Sequence, residues 1–208
     1  MKKLIFLFSL FLPYMLFAQF TLGLTGGVNM GKFGGVAPKD ASYALRSGLN
    51  AGVVVGYRIN EDFTLTVQPS YTQRGSDIEV GQDTFFDSLR VYNVKMGFLT
   101  LPFFVRIDSD NGITYFISGL EFGIPLSSSL EYGSESRDIS SYLNKIDILA
   151  AIGMGLRFSV GKPDLMIELR YYQGLVNFNA DNVPKEKLYF ENFKNIGFQI
   201  TAGLEWEL

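Results

Sequence analysis

Apolar and polar residues alternate with a period of two along several segments of the chain. In the clearest segment, residues 145–160, every even-numbered position is apolar, whereas several odd-numbered positions are small or charged. Strict alternation of this kind is typical of a β-strand with one apolar face. Partial copies occupy residues 20–29, 48–59, 63–72, 95–107, 113–124, 165–172 and 195–208. The pattern therefore predicts eight strands.

Three local features leave the strand assignment open. In residues 113–124, Phe116 and Phe122 compete with Tyr115 for the apolar face, so the pattern does not say which side is which. Pro69 and Pro102 fall inside predicted strands, and a proline cannot donate a hydrogen bond to a sheet ladder. We expect a bulge at each proline.

The connections between the predicted strands alternate in length. They span residues 31–47, 60–62, 74–90, 108–112, 125–143, 161–164 and 176–193, which is long, short, long, short, long, short, long. Outer-membrane barrels have short periplasmic turns and long extracellular loops. A sheet in lipid must also close on itself, because unpaired backbone groups in hydrocarbon are costly. The sequence predicts an all-β fold, an eight-stranded antiparallel up-and-down transmembrane β-barrel, with both termini on the periplasmic side.

The first residues have the layout of a secretory signal peptide. Lys2 and Lys3 precede an apolar run from Leu4 to Phe17, and Ala18 provides a small residue for cleavage. The alternative, an N-terminal membrane anchor, is disfavoured because the run is shorter than the ~20 residues of a spanning helix. We expect residues 1–19 to be the signal peptide, with an exported barrel domain at residues 20–208.

Composition excludes several functions. The 208-residue chain contains no Cys and no His, so disulfides, thiolate or imidazole metal sites and His-based catalysis are ruled out. A net charge of −3 offers no broad basic field, which argues against nucleic acid as a partner. We expect no cofactor, no metal and no enzymatic activity. Acid-base chemistry by a pair such as Glu168 and Asp147 remains the enzymatic alternative.

Charged residues also fall on the predicted inward faces. Isolated charges are costly in a confined interior, so residues of opposite sign are expected to pair across the lumen. A transport or gating role is the alternative. The predicted ion-pair network consists of Arg58, Lys145, Asp147, Arg157, Glu168, Arg170 and Glu205.

The final strand carries a second sorting feature. Thr201 and Gly203 are followed by the alternating apolar residues Leu204, Trp206 and Leu208. This resembles the C-terminal signal by which the barrel insertion machinery recognises its substrates, with Leu208 in place of the usual Phe. An ordinary amphipathic edge strand is the alternative.

Four segments resemble the PorT-like outer-membrane β-barrel family. They are FLTLPFFVRI at residues 98–107, YFISGLEFG at residues 115–123, DILAAIGMGLR at residues 147–157 and ELRYYQGLVN at residues 168–177. The resemblance implies an eight-stranded barrel in the outer membrane, and some relatives act in type IX secretion and gliding. It transfers no functional residue to this chain.

The long loops are the expected working surface. Loops carry binding residues more often than the scaffold does, and aromatic side chains suit protein, glycan or lipid contacts. The candidate contacts are Phe33, Phe85, Phe86, Tyr132, Tyr142, Phe178, Tyr189 and Phe190. We expect an interaction or assembly module, an accessory of an envelope or secretion complex or a surface adhesin, in contact with outer-membrane lipid, lipopolysaccharide and an envelope protein. The alternatives are a passive structural or small-solute porin-like barrel and a soluble lipid-binding β-barrel.

Overall fold

Eleven β-strands make up nearly all the regular structure in the computed structural model, which describes residues 19–37, 41–81, 90–159, 161–178 and 192–208. A short 3-10 helix, Ser140–Tyr142, lies between β8 and β9. No helix among these residues is long and apolar enough to cross a membrane. The strands are β1 Phe20–Gly34, β2 Ala41–Ala44, β3 Arg46–Arg58, β4 Phe63–Val67, β5 Ser70–Val80, β6 Arg90–Asp108, β7 Thr114–Tyr132, β8 Glu135–Asp138, β9 Asp147–Ser159, β10 Asp164–Gly174 and β11 Lys194–Glu207.

The strands form one antiparallel ring. β1 pairs with β3, β3 with both β4 and β5, and these two with β6; the ring continues through β7, β9, β10 and β11. It closes where β11 pairs with β1, from Thr21 opposite Glu207 to Gly34 opposite Lys194. Because β4 and β5 together occupy one position in the ring, the wall has eight members, which confirms the predicted eight-stranded antiparallel barrel. The predicted signal peptide lies almost wholly outside the described residues.

Apolar side chains face outward and polar side chains face the lumen. On β9, Ile152, Met154 and Leu156 are exposed, whereas the intervening inward positions Gly153 and Gly155 are partly or fully buried. β7, which the sequence left open, places Phe116, Leu120 and Phe122 outward and Tyr115 and Ile117 inward. An outward apolar surface of this kind is stable in lipid rather than in water. The soluble barrel with a lipid inside, which requires the opposite arrangement, is therefore wrong.

The two prolines share one irregular place in the wall. Pro69 lies between β4 and β5, where its carbonyl accepts from the Val53 N–H at 3.0 Å. Pro102 lies within β6, and its carbonyl accepts from the Gln68 N–H at 3.0 Å. In an antiparallel strand, the N–H and C=O groups of one residue point toward the same neighbouring strand. Pro102 has no N–H, and the position of this missing donor faces the interruption between β4 and β5. The expected bulges at Pro69 and Pro102 are both wrong, because the strand register runs unshifted past each proline. The register shift on β6 lies instead between Gly97 and Phe98.

The two ends of the barrel differ. One end, which we call the short-turn end, carries the turns at residues 59–62, 109–113 and 161–163 together with the ends of the barrel sheet at Phe20 and Glu207. The other, the long-loop end, extends further than predicted: β1 reaches Gly34, β5 reaches Val80 and β7 reaches Tyr132. Backbone pairing continues there without apolar alternation, which is why the sequence pattern missed it. β2 and β8 add to the wall at this end by pairing with β5 and β7.

Candidate functional site: the packed lumen and the long-loop end

The first ion-pair group in the lumen surrounds Arg74. Its Nη2 donates to Glu121, and its Nη1 lies 3.7 Å from Asp147 Oδ2. Asn195 donates to the same Asp147 oxygen at 2.7 Å. The Tyr172 ring lies beneath the guanidinium, with its centroid 4.9 Å from Cζ. Because all three charged side chains are at most 2% exposed, the pairing replaces water around them.

The second group lies on β10. Arg170 is paired with Glu168 on the same inward face and donates to the Gln68 side-chain oxygen at 2.8 Å. The Phe104 ring centroid lies 4.4 Å from the Arg170 guanidinium carbon. Tyr115 donates its hydroxyl to Glu168 Oε2 at 3.4 Å. Both oxygens of the Glu168 carboxylate are thus held by lumen side chains.

The third group lies nearest the short-turn end. Arg106 donates to both carboxylate oxygens of Glu205, at 3.0 and 3.1 Å, in a two-pronged contact. Its Nε lies 3.6 Å from Asp108 Oδ2, and Arg157 donates to the other Asp108 oxygen at 2.9 Å. Planar guanidinium groups match carboxylates in this way, which makes such contacts among the stronger ion pairs.

The seven predicted network residues occupy three kinds of place. Asp147, Arg157, Glu168, Arg170 and Glu205 lie in the lumen as described above. Arg58 pairs with Glu207 at the rim of the short-turn end, where both side chains are at least one-third exposed. Lys145 is exposed and lies ahead of β9, outside the lumen. Its assignment to an inward strand face was wrong because β9 begins only at Asp147.

Four lumen residues were missed by sequence reasoning. Arg74 was assigned to a loop, although it continues the inward alternation of Ser70 and Thr72. Glu121 lies on β7, whose inward and outward faces the sequence pattern does not distinguish. Arg106 and Asp108 lie where β6, which is apolar on both faces, meets a turn. A longer predicted strand at residues 70–80 would have placed Arg74 in the lumen. An inward assignment for Tyr115 would have done the same for Glu121.

An apolar cluster fills the long-loop end of the lumen. Phe178 packs against Phe98 and Phe193, with ring centroids 5.4 and 6.1 Å apart, and Phe33 lies 4.0 Å from Phe193. The other buried members are Ile78, Val94, Met96, Ile139 and Leu143. Phe33 and Phe178 are 1% and 0% exposed, which corrects their prediction as loop contacts. Phe33 packs inward because it continues the inward alternation of Asn29 and Gly31 on β1, and Phe178 because the chain after β10 is bonded to Phe193.

Other aromatic candidates remain accessible. Tyr132 is 43% exposed and stacks on Tyr92 with centroids 4.8 Å apart. Tyr142 accepts a hydrogen bond from Arg137 at 3.1 Å. Phe85, Phe86, Tyr189 and Phe190 lie outside the described residues.

A hydrogen-bonded turn precedes the 3-10 helix at this end. The Ser140 side chain and its backbone N–H, at 2.8 Å, bond to Asp138 and hold the pKa of that carboxyl below its usual range. Asp138 is therefore ionised at neutral pH and adds a negative charge beside Arg137.

The arrangement offers little for chemistry on a substrate. Glu168 and Asp147, the carboxylates considered for acid-base work, belong to separate ion-pair groups and are each engaged by arginine or asparagine. Within the described part of the chain, no group of three or more Asp and Glu side chains is placed to hold a metal ion. The lumen geometry suits a structural core, and the accessible polar and aromatic groups lie at the long-loop end.

The chain is similar to several solved structures. Neisserial surface protein A is 15% identical over 90% of this chain and 97% of that one, with a TM-score of 0.47. The attachment invasion locus protein of Yersinia pestis is 14% identical over 89% and 98%, with a TM-score of 0.44. OprG from Pseudomonas aeruginosa is 10% identical over 90% and 96%, with a TM-score of 0.48. No curated protein matches the chain.

A family model gives the assignment. The model described as the outer membrane protein beta-barrel domain matches residues 17–179, which is most of the chain. The match agrees with the closed antiparallel ring and its outward apolar surface. The protein is an integral outer-membrane β-barrel and belongs to the outer membrane protein beta-barrel domain family.

Proposed function

We propose that the protein is a non-enzymatic interaction or assembly module that acts through its long loops on the cell exterior. The observation that carries this proposal is the packing of the lumen. Three buried ion-pair groups and the apolar cluster fill the interior, so binding chemistry is left to the outer surfaces. An eight-membered barrel is just wide enough for its own side chains to fill it.

The long-loop end provides suitable contact groups. Tyr132 and Tyr142 present aromatic rings beside Arg137, and tyrosine and arginine are enriched in protein interfaces. The extension of β6 and β7 raises this surface above the apolar band. A protein or glycan partner matches these groups better than a small apolar ligand does.

The more specific role that we propose follows from the resemblance to the PorT-like family. We expect an accessory role in an envelope or secretion complex, with surface adhesion as the second form of the same interaction. Export by the signal peptide at residues 1–19 and recognition of the last strand by the insertion machinery belong to this proposal. They place the long loops outside and the short turns in the periplasm.

The proposal is tested by partner recovery from cross-linked cells. The double variant Tyr132→Ala and Tyr142→Ala should lose a specific co-purifying protein by at least tenfold, while the protein still reaches the outer membrane. Tyr57→Ala, a substitution of the same kind near the short-turn end, is the matched control and should keep that protein. Equal recovery from all three proteins would overturn the proposal.

A passive structural barrel is the second candidate. The filled lumen is compatible with it, but it requires none of the exposed aromatic and charged groups at the long-loop end, and it predicts no loop-dependent partner. A small-solute channel is disfavoured by the same packing. Partner recovery distinguishes the interaction module from the passive structural barrel. Ion conductance in planar lipid bilayers tests the small-solute channel.

A further inference from the structure

The wall between β3 and β5 contains a gap in its backbone pairing. The two strands pair only from Asn50 opposite Thr72 to Gly52 opposite Ser70. Pairing resumes between β2 and β5 at Ala44 opposite Asp77. The intervening residues 45–49 and 73–76 have no ladder pairs with each other.

Side chains close this gap in place of the ladder. Asn29 donates from the lumen to the Gln73 carbonyl at 2.9 Å, and the Leu49 N–H donates to the Gln73 side-chain oxygen at 3.2 Å. Ser76 donates to the Ala44 carbonyl at 3.0 Å. These contacts bond the Gln73 and Ala44 carbonyls and the Leu49 N–H, so side chains replace part of the missing ladder.

A cavity of about 410 Å³ opens at this gap. Small residues shape it: a Cβ added at Gly97 would lie 2.6 Å from the Tyr71 hydroxyl and 2.8 Å from Ser127 Oγ. The charged residues that line it are all cationic, namely Arg46, Arg74 and Lys95. We call this cavity the β3–β5 cleft.

The carboxylates near the β3–β5 cleft do not line it. Glu131 pairs with Lys95, and Asp77 pairs with Arg46 at 2.7 Å. Lys95 is 47% exposed, so it can turn toward a ligand at small cost. Arg74 Nε and Nη1 donate no hydrogen bond to any described residue. Because Arg74 is already paired with Glu121 and Asp147, the positive charge available to a ligand is that of Lys95 and Arg46.

The cleft lies at the edge of the lipid-facing surface. Leu49, Tyr71 and Leu99 are exposed on its short-turn side, and they continue the outward apolar band. Toward the long-loop end the next outward residues are Ser47 on β3, Gln73 on β5 and, beyond Gly97, Lys95 on β6, and these three side chains are polar. Lipid headgroups occupy this level in a bilayer, with acyl chains below.

We propose that the β3–β5 cleft binds a phosphate group on the headgroup of an outer-leaflet glycolipid, with Lys95 as the principal ligand and Arg46 as the second. The lipid's acyl chains then lie along Leu49, Tyr71 and Leu99. The assignment to the outer leaflet rests on the proposed exterior position of the long loops. It is independent of any protein partner of those loops.

Binding is measured by native mass spectrometry of the purified full chain in detergent. The probes are bis-phosphorylated lipid A, the same lipid after enzymatic dephosphorylation, and inorganic phosphate. We expect the first to bind at least tenfold more tightly than the second. We expect Lys95→Gln to weaken lipid A binding at least fivefold and Glu131→Gln, which frees Lys95, to strengthen it.

The matched control is Lys145→Gln, which removes an exposed lysine that lies ahead of β9, on a different side of the ring from the cleft. Equal effects of Lys145→Gln and Lys95→Gln, or equal binding of the two lipids, would overturn the proposal. If inorganic phosphate bound as tightly as lipid A, the ligand of the cleft would be a free anion and the lipid assignment would be wrong. Slower gel migration after boiling checks that each variant is folded.

Orientation is tested separately, since the chain has no native cysteine. Ser134→Cys, in an exposed turn at the long-loop end, should react with a membrane-impermeant maleimide in intact cells. Labelling only after lysis would contradict the exterior position of the loops and the outer-leaflet assignment. The lipid A affinities are measured in detergent and do not depend on this orientation, so they test binding at the β3–β5 cleft separately.

Discussion

Individual residues in the lumen are stabilised by partners of opposite charge. Arg74 is held by Glu121 and Asp147, and all three side chains are almost fully buried. Removing one partner from such a group leaves an uncompensated charge, which costs more than the pair contributes. Charges at the rim differ, because water already solvates both members of the Arg58–Glu207 pair.

Arg74→Met should therefore lower the free energy of unfolding by about 3–5 kcal/mol, because two buried carboxylates lose their cation. Urea unfolding of the protein in lipid vesicles measures this change. Arg58→Met is the matched control and should cost about 0–1 kcal/mol. Similar losses for the two variants would show that the lumen group is solvated.

Gly155 makes room for a large lumen side chain. A Cβ at this position would meet the ring of Tyr115, which is directly opposite on β7. Tyr115 is itself fixed between Glu168 and the guanidinium of Arg106. The glycine is required by this close approach of a side chain.

Gly155→Val should destabilise the barrel by about 1–3 kcal/mol, because the ring of Tyr115 has to move within a packed interior. Ala202→Val adds methyl groups to an outward position of β11 and should change stability little. Urea unfolding of both variants provides the comparison. An equal effect of the two substitutions would contradict the packing described for the lumen.

At the scale of elements, the membrane-facing strands could be predicted from the sequence and the ends could not. The outward apolar residues of β9, β10 and β11 are where the alternation placed them, since lipid on one side and polar lumen on the other produce that alternation. Above the apolar band the alternation is reversed, because outward residues such as Asp77 and Glu79 are polar and the inward Ile78 packs in the apolar cluster. The extension of β5 to Val80 therefore does not continue the outward apolar pattern of the membrane-facing strands.

The apolar cluster illustrates a second limit of sequence reasoning. Phe33 and Phe178 occur in segments rich in turn residues and polar residues, which is also the context of exposed loop aromatics. Phe33 is buried because β1 continues to Gly34, and Phe178 because it packs against Phe98 and Phe193. The sequence therefore identified aromatic residues at the correct end of the barrel but not which of them are accessible.

Phe178→Ala should loosen the long-loop end without opening the barrel. The Phe178 carbonyl accepts from the Asn144 N–H at 2.8 Å, and its own N–H donates to Phe193 at 2.9 Å. Loss of the buried ring leaves a cavity beside both bonds. Hydrogen exchange at Asn144 should accelerate at least tenfold, whereas exchange at Leu149 within β9 should not.

Tyr132→Ala is the control for this prediction, because its ring is exposed at the same end. It should leave exchange at Asn144 unchanged. Equal acceleration in the two variants would show that Phe178 does not hold the segment in place.

At the scale of the whole molecule, the closed ring separates two surfaces with different roles. The inner surface is filled by its own ion pairs and by the apolar cluster, and the outer surface contacts lipid. Contact with other molecules is left to the long-loop end and the β3–β5 cleft. The central claim is thus that the barrel is closed to ions along its axis and acts from its outside.

Ion conductance in planar lipid bilayers tests this claim most directly. The purified protein, shown to be folded by a change in gel migration on boiling, should insert without steady conductance, while a general porin in the same bilayers gives stable steps. Reproducible single-channel openings of the wild-type protein would contradict the packed lumen. They would favour a small-solute channel over an interaction module.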